Sequence, residues 1–482
     1  MRIVFVIPPF DYARSVGNAC RRVKNGILPP LGVGFLAAAV EADGHEARLV
    51  DAMAEQFDLD QTVRAVLDHA PDAVGVSIVT SLNVSACVPL VRELRERLPE
   101  TCPIILGGAH ITTAGARALD EFPGAAAVVE GDGETPLRIL LERMGRAADL
   151  SGIPGAHYRD ADGTVRPGPP PAWPKDLDQF APPARHIYKA ELYRPLPSLN
   201  LGRKVTTVIT ARGCPWARCA FCHQGSGCSV PFRRRSPEHV ADELEGLVRD
   251  YGIKSIVFWD DSFCVMPGWI NRFCDLLDGR RLNLAWSVLA RADTVTPDML
   301  RRMAASGCYS IQFGFESGVP EILELVRKGT TLEQYRSAVA WSRAAGLEIR
   351  GSFMLGFPTE TPAMSEQTIE FACSLNADYM LFFAYHVLPG TALEPVALRE
   401  GRVVNPPGEG FNIHQPSYVP NTYDSPEQLA AMVRRAYRRY YLRPAYAARL
   451  LGRTLRRPSL ARNHAVALAY WTGTAFRRNG GG

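Results

Sequence analysis

The sequence has no apolar stretch long enough to span a bilayer. Its first residues, Met1 to Ile7, run into Pro8 and Pro9 before reaching the length or cleavage site of a signal peptide. They read as a buried first strand, and a cytoplasmic protein is expected. Strong charge is also missing. A formal net charge of +4 is too small to argue for a nucleic-acid partner. No repeat of the solenoid kind is present. Nor is there a disulfide framework: of 11 cysteines, an odd number, Cys20, Cys87, Cys102, Cys264, Cys274, Cys308 and Cys373 stand singly. What is there is ordinary for soluble domains with sizeable cores. The 482 residues are 46% hydrophobic and 22% charged, and the length implies two or three domains.

Residues 1–145 alternate apolar runs with helical patterns. Strands are expected at Arg2–Ile7, Ala47–Val50, Ala73–Val79, Pro103–Leu106 and Ala126–Val129. They are almost continuously apolar, as strands covered on both faces must be. Helices are expected at Leu31–Ala42, Asp60–His69, Val84–Leu98, Thr113–Phe122 and Glu134–Met144. Five βα units imply an α/β doubly wound parallel sheet. Residues 146–203 are dense in Pro and Gly and read as a linker, with a small hairpin at Asp162–Gly163. From 204 to 390 six further βα repeats are expected, with strands at Val205–Ala211, Ser255–Asp260, Leu284–Leu289, Ile311–Glu316, Ile349–Leu355 and Tyr379–Val387. Six is short of a closed eight-stranded barrel, so a partial (β/α)6 barrel is expected. Residues 391–482 read as a helical C-terminal region.

Cys214, Cys219, Cys222 and Cys228 crowd into fifteen residues at the end of the first barrel strand, where parallel sheets place active sites. Thiolates suit iron–sulfur clusters or zinc. Three thiolates on a four-iron cluster leave one iron open to chelate an amino acid's amine and carboxylate. All four cysteines together would instead make a structural zinc site. With Phe221 just before its last cysteine, the loop resembles that of the radical S-adenosylmethionine (SAM) superfamily. The resemblance implies a 4Fe–4S cluster on Cys214, Cys219 and Cys222. The family spacing is CxxxCxxC, whereas this chain has CxxxxCxxC. Either a loop bulge absorbs the extra residue, or Cys228 replaces Cys214.

Later segments fall in the family's order at successive strand ends. The resemblance places Asp260 and Asp261 near the methionine amine of SAM, and Arg291 near its carboxylate. It places Glu316 and Ser317, in the GxESG-like run Gly314–Gly318, at the ribose. The Gly-rich segment from Gly351 to Glu360 falls beside the adenine.

In the first domain, Pro29, Leu31 and Gly32 open a helix. Thr80 and Ser81 follow the third strand, Gly107, Gly108 and His110 the fourth, and Glu130 and Gly131 the fifth. This series resembles the cobalamin-binding domain found ahead of many radical SAM enzymes, and implies that these residues line a corrin and its nucleotide tail. Some cobalamin proteins ligate cobalt through DxHxxG. Here Asp43, Gly44 and His45 lack the final Gly and lie between helix and strand, so His45 reads as a turn residue. The related methylthiotransferases need three more cysteines, which Cys20, Cys87 and Cys102 do not obviously supply.

The tail 433–446 interleaves Arg and Tyr and resembles the helical tail of cobalamin-dependent radical enzymes. It reads as a helix packed on the barrel, and membrane contact is not expected. Together the resemblances imply a C-methyltransferase acting through a 5′-deoxyadenosyl radical and methylcobalamin. Radical cyclisation, oxidation or rearrangement is the alternative, and a metal-stabilised binding module the non-enzyme one. The substrate would be a small molecule or peptide, and the electron donor a flavodoxin or ferredoxin.

Overall fold

The computed structural model describes residues 1–10, 26–81, 84–146, 148–199, 201–225, 230–404, 415–456, 461 and 465. These fall into two compact units. The first holds the described residues of Met1–Tyr12 and Pro29–Tyr193, and the second those of Ala13–Leu28, Arg194–Pro406 and Phe411–Gly482.

In the first unit, β1 (Arg2–Ile7), β2 (Glu46–Asp51), β3 (Ala73–Ser77), β4 (Ile104–Gly107) and β5 (Ala127–Val129) form a parallel sheet in the order β2-β1-β3-β4-β5. Side chains of β1 alternate between two cores. Val4 and Val6 face one with Leu90, Leu94 and Ile104, while Ile3, Phe5 and Ile7 face another with Val33, Leu137 and Leu140. Burial on both faces is why this strand is continuously apolar.

Two expectations change here. The hairpin at Asp162–Gly163 is not a linker feature. Its strands β6 (Ala156–Arg159) and β7 (Val165–Arg166) extend the sheet, β6 running antiparallel to β5. The helix expected at Thr113–Phe122 starts earlier, as α-helix Ala109–Ala114. It breaks at Gly115 and resumes over Ala118–Glu121.

The second unit is built on β8 (Val205–Val208), β9 (Ala211–Arg212), β10 (Arg233–Arg234), β11 (Ser255–Phe258), β12 (Ala285–Ala290), β13 (Cys308–Glu316), β14 (Glu348–Leu355) and β15 (Tyr379–Ala384). Six of these form one parallel sheet, in the order β15-β14-β13-β12-β11-β8. Its two edges, β15 and β8, do not pair, so the barrel is partial. Helices return each strand to the next. The first, Pro237–Tyr251, starts as the sequence implies, with the Ser236 hydroxyl accepting from the His239 N–H at 3.1 Å.

The β15 edge is sealed by the tail. Helix Pro426–Tyr441 brings the Tyr437 hydroxyl to the Phe382 N–H at 3.1 Å, and the Tyr441 hydroxyl to both the N–H (2.9 Å) and the carbonyl (2.8 Å) of Met380. The Tyr440 hydroxyl donates to the Ala377 carbonyl at 2.6 Å. Side chains thereby replace a missing strand and satisfy backbone groups that an open edge would leave bare. The Arg–Tyr interleaving has this cause: the tyrosines face the sheet and are fully buried.

Candidate active site

The cysteine loop leaves β8 and is closed at its base by a feature the sequence did not announce. Strand β9 pairs antiparallel with β10, Arg212 opposite Arg233 and Ala211 opposite Arg234. At the turn into the loop Gly213 has φ +80°, and a Cβ there would lie 2.4 Å from the Val230 carbonyl oxygen. Only glycine fits this position. Asp260, at the end of β11, grips the same base. Its Oδ1 accepts from the N–H groups of Thr210 (2.6 Å) and Ala211 (2.7 Å), and its Oδ2 from the Thr210 hydroxyl (2.9 Å). Burial pushes its carboxyl pKa up, against the pull of Arg234 and these donors. Arg234 itself lies 3.8 Å above the Trp269 ring.

Within the loop, Ala220 belongs to an apolar cluster with Val326, Phe357 and Tyr385, and Phe221 packs on that cluster with its ring 6.0 Å from that of Phe357. Within the cysteine spacer the chain turns left-handed at Ala217, with φ +41°. Cys214, Cys219 and Cys222 are partly buried thiols that act on one another electrostatically. Burial pushes Cys222 up to about 11, and Cys219 is raised for the same reason. Among the described residues, no three His, Cys, Asp or Glu side chains converge closely enough to hold a single metal ion. Cys228 lies outside the described residues.

Around the loop, the residues singled out in the sequence divide by what they touch. Asp261 is exposed and accepts from the Gln224 side chain at 3.3 Å. Arg291 is buried and paired in both directions. Its guanidinium takes Asp293 bidentately (3.0 and 2.8 Å), donates to the Lys328 carbonyl (2.9 Å) and lies 4.6 Å over Trp216. Glu316 has φ +65° at a bulge where β13 shifts register against β14, and its Oε1 accepts from Lys328 Nζ at 2.8 Å. Ser317 is fully buried, accepts from the Val319 N–H (3.1 Å) and meets the Thr368 hydroxyl (3.3 Å), so it shapes the turn. Gly351 faces the helix layer, where a Cβ would meet Phe315 at 2.6 Å and Met380 Sδ at 2.7 Å. Its smallness serves packing between strands.

Three residues given no role of their own in the sequence complete the surroundings. Lys328 is one. Trp216, inside the cysteine spacer, is another. The third is Glu360, which is fully buried after β14 and accepts from the N–H groups of Gly356 and Phe357 (both 3.0 Å) and from the Ser365 hydroxyl. Burial raises its carboxyl to about 7. An Arg-Lys-Gly run after the fourth strand and a Trp between cysteines were the available signals.

In the first unit, Thr80 and Ser81 follow β3, Gly107 ends β4 with Gly108 and His110 after it, Glu130 and Gly131 follow β5, and Gly32 is in the first turn of a helix. Gly32 faces open space, and a Cβ at Gly107 would meet only the Val129 carbonyl at 3.9 Å. These positions leave room for a ligand. Gly108 is different: a Cβ there would lie 2.5 Å from the Ile78 carbonyl. Val79, just past β3, is 55% exposed, an apolar surface beside Thr80 and Ser81. His110 is buried, with Nδ1 3.0 Å from the Ser81 hydroxyl and Nε2 2.8 Å from Glu121. Both ring nitrogens are therefore engaged, and its clearest effect is to orient Ser81. Glu130 meets His157 Nε2 at 3.2 Å. Gly131 lies under the Trp173 ring, 3.0 Å from where its Cβ would be. Pro29 and Leu31 are half-buried at the start of helix Leu31–Glu41.

Two family models match the chain, the B12 binding domain over residues 18–141 and the radical SAM superfamily over residues 208–372. The chain is 31% identical over 447 residues to "Uncharacterized methyltransferase PH0819" of Pyrococcus horikoshii, covering 92% of this chain and 93% of the relative. The chain belongs to the cobalamin-binding radical SAM enzymes. The anaerobic magnesium-protoporphyrin IX monomethyl ester cyclase of Rubrivivax gelatinosus is 27% identical over 92% of this chain and 78% of its own. The fold of this radical SAM enzyme is also that of the methyltransferase TsrM from Kitasatospora setae, solved with tryptophan and a SAM analog bound. The TM-score is 0.65 at 20% identity, over 83% of this chain and 76% of that one.

The enzyme's cofactors are accordingly cobalamin, a 4Fe–4S cluster and SAM. The donor set fits a cluster: three thiols on one loop, at the open end of the barrel. No helix among the described residues is long and apolar enough to cross a membrane.

Proposed function

We propose that this radical SAM enzyme is a C-methyltransferase acting on an unactivated carbon of a natural-product intermediate or related small metabolite. The observation that carries the reading is the clamped three-cysteine loop at the C-terminal end of β8, in a chain that also carries a B12 binding domain. When bound, the cluster and cobalamin supply the one-electron and methyl-carrying chemistry that side chains lack.

The protein's part is holding and orienting. Cys214, Cys219 and Cys222 are assigned as cluster ligands. Asp261 is assigned to the SAM amine, and Asp260 keeps the loop base in place for it. Glu316 is assigned to the ribose hydroxyls. Arg291 contributes charge and stacking beside Trp216, its carboxylate-gripping face being taken by Asp293. Cobalamin is assigned to the open side of β3 to β5, over Gly32, Thr80, Ser81, Gly107 and Val79, with residues 1–145 as its domain and 204–390 as the radical domain. A flavodoxin or ferredoxin would supply electrons in the cytoplasm.

The methyltransferase name of the 31%-identical relative favours methylation over cyclisation. The cyclase at 27% identity keeps the second reading in play. The test is turnover of a candidate substrate with SAM, cobalamin and reductant, read by mass. A gain of one methylene group together with 5′-deoxyadenosine supports methylation. Loss of hydrogen with no added carbon supports the cyclase reading.

A further inference from the structure

The residues Val326–Gly329 follow the short helix Pro320–Leu325 and form a strap against the cysteine loop. Four contacts hold it in place, three of them to the loop. The Ala220 N–H donates to the Val326 carbonyl at 2.9 Å, and the Trp216 indole N–H donates to the Arg327 carbonyl at 3.0 Å. The Arg291 guanidinium donates to the Lys328 carbonyl at 2.9 Å. The Trp216 ring covers Gly329 so closely that a Cβ there would fall 2.1 Å from Cζ2. The strap takes the left-handed region twice to do this, at a cost at Arg327 (φ +52°) and freely at Gly329 (φ +68°).

The strap delivers one side chain inward. Lys328 is 7% exposed, and its ammonium, which donates to Glu316 Oε1, has no other ion-pair partner among the described residues. Val326, two residues before Lys328, is hydrogen-bonded to Ala220, the residue after Cys219, so the strap sets Lys328 against the cysteine loop. Arg291 is already offset by its bidentate partner Asp293. Lys328 is therefore the cation that the fold brings to the loop at a real desolvation cost.

We propose that Lys328 is a positioning residue for the cluster site: its buried ammonium offsets the negative charge gathered at the cysteines and holds Glu316, easing one-electron reduction of the cluster. The inference rests on the proposed function, because it presumes a cluster on this loop. Its physical basis is general. Reduction adds a negative charge to a group already held by anionic thiolates. A fixed cation in a poorly screened setting stabilises the reduced form more than the oxidised one. A fixed anion does the reverse, so Lys328 and Glu316 act on the potential with opposite signs.

The test is an EPR-monitored redox titration of the full chain, reconstituted anaerobically with iron and sulfide, in the absence of SAM. Lys328→Met should move the midpoint to more negative potential. Glu316→Gln should move it to less negative potential, and Lys328→Arg should stay near the parent. Iron content is measured on each variant. Midpoints that stay put, or that move the same way in Lys328→Met and Glu316→Gln, overturn the proposal and leave the strap a scaffold only. Should Lys328→Met fail to fold, the sign of the Glu316→Gln shift decides. A parent chain that takes up no cluster overturns the proposed function itself, so the two failures are distinguishable.

Discussion

Asp260 holds Thr210 by two hydrogen bonds, from its N–H and its hydroxyl, and accepts a third from the Ala211 N–H, so the acidic turn of β11 fixes the base of the cysteine loop on β8. The adjacent Asp261 has no such task. The two carboxylates should therefore separate on mutation. Asp260→Asn loses charge-assisted bonds worth about 1.5–3 kcal/mol each. It should lower both the unfolding midpoint and the iron retained after reconstitution. Asp261→Asn should leave the unfolding midpoint unchanged and weaken SAM binding, read by equilibrium dialysis.

The tyrosines of helix Pro426–Tyr441 give a second prediction. Tyr441→Phe leaves the Met380 N–H and carbonyl bare, and Tyr437→Phe bares the Phe382 N–H. Each should cost about 1–3 kcal/mol in chemical denaturation. The double variant should also self-associate through the opened edge, seen by light scattering. Equal stability with no association would mean that the hydroxyls are not sealing the sheet.

Glu360 gives a pH dependence. Its folded pKa of about 7 lies above the 4.5 of a free glutamate, because burial outweighs its three acceptor bonds. The fold thus holds more protons than the unfolded chain between these values. Stability falls as pH rises through that window, by about 3 kcal/mol in all. Glu360→Gln, which keeps an acceptor for Gly356 and Phe357, should flatten that slope and exceed the parent's stability at pH 8. The check is paired unfolding curves from pH 5 to 8.

Much of the fold was legible because burial writes itself into the strands. The strands of both parallel sheets are apolar runs at spacings that βα units require, and the Ser236 cap marked its helix. The β9–β10 ribbon was not, since two arginines facing an Ala-Arg pair carry no strand signal. The hairpin at Gly163 was visible as a turn, but its pairing with β5 is a tertiary fact. At the site, chain order placed Asp260 and Glu316 at strand ends, yet not the direction each faces. The bulge at Gly314–Glu316 and the inward turn of Asp260 decide that. Lys328 sits in an Arg-Lys-Gly run whose meaning is tertiary: only the strap beyond a short helix brings it against the cysteine loop.

The most direct measurement is the metal content of the anaerobically reconstituted chain and of its single Cys→Ala variants at 214, 219 and 222. The parent should be brown, with about four irons per chain and an EPR signal on reduction that changes when SAM is added. Each variant should lose the signal. Cys228→Ala should keep it. A colourless chain holding zinc, or a cluster that survives loss of Cys214 but not of Cys228, would contradict the ligand set on which the account stands.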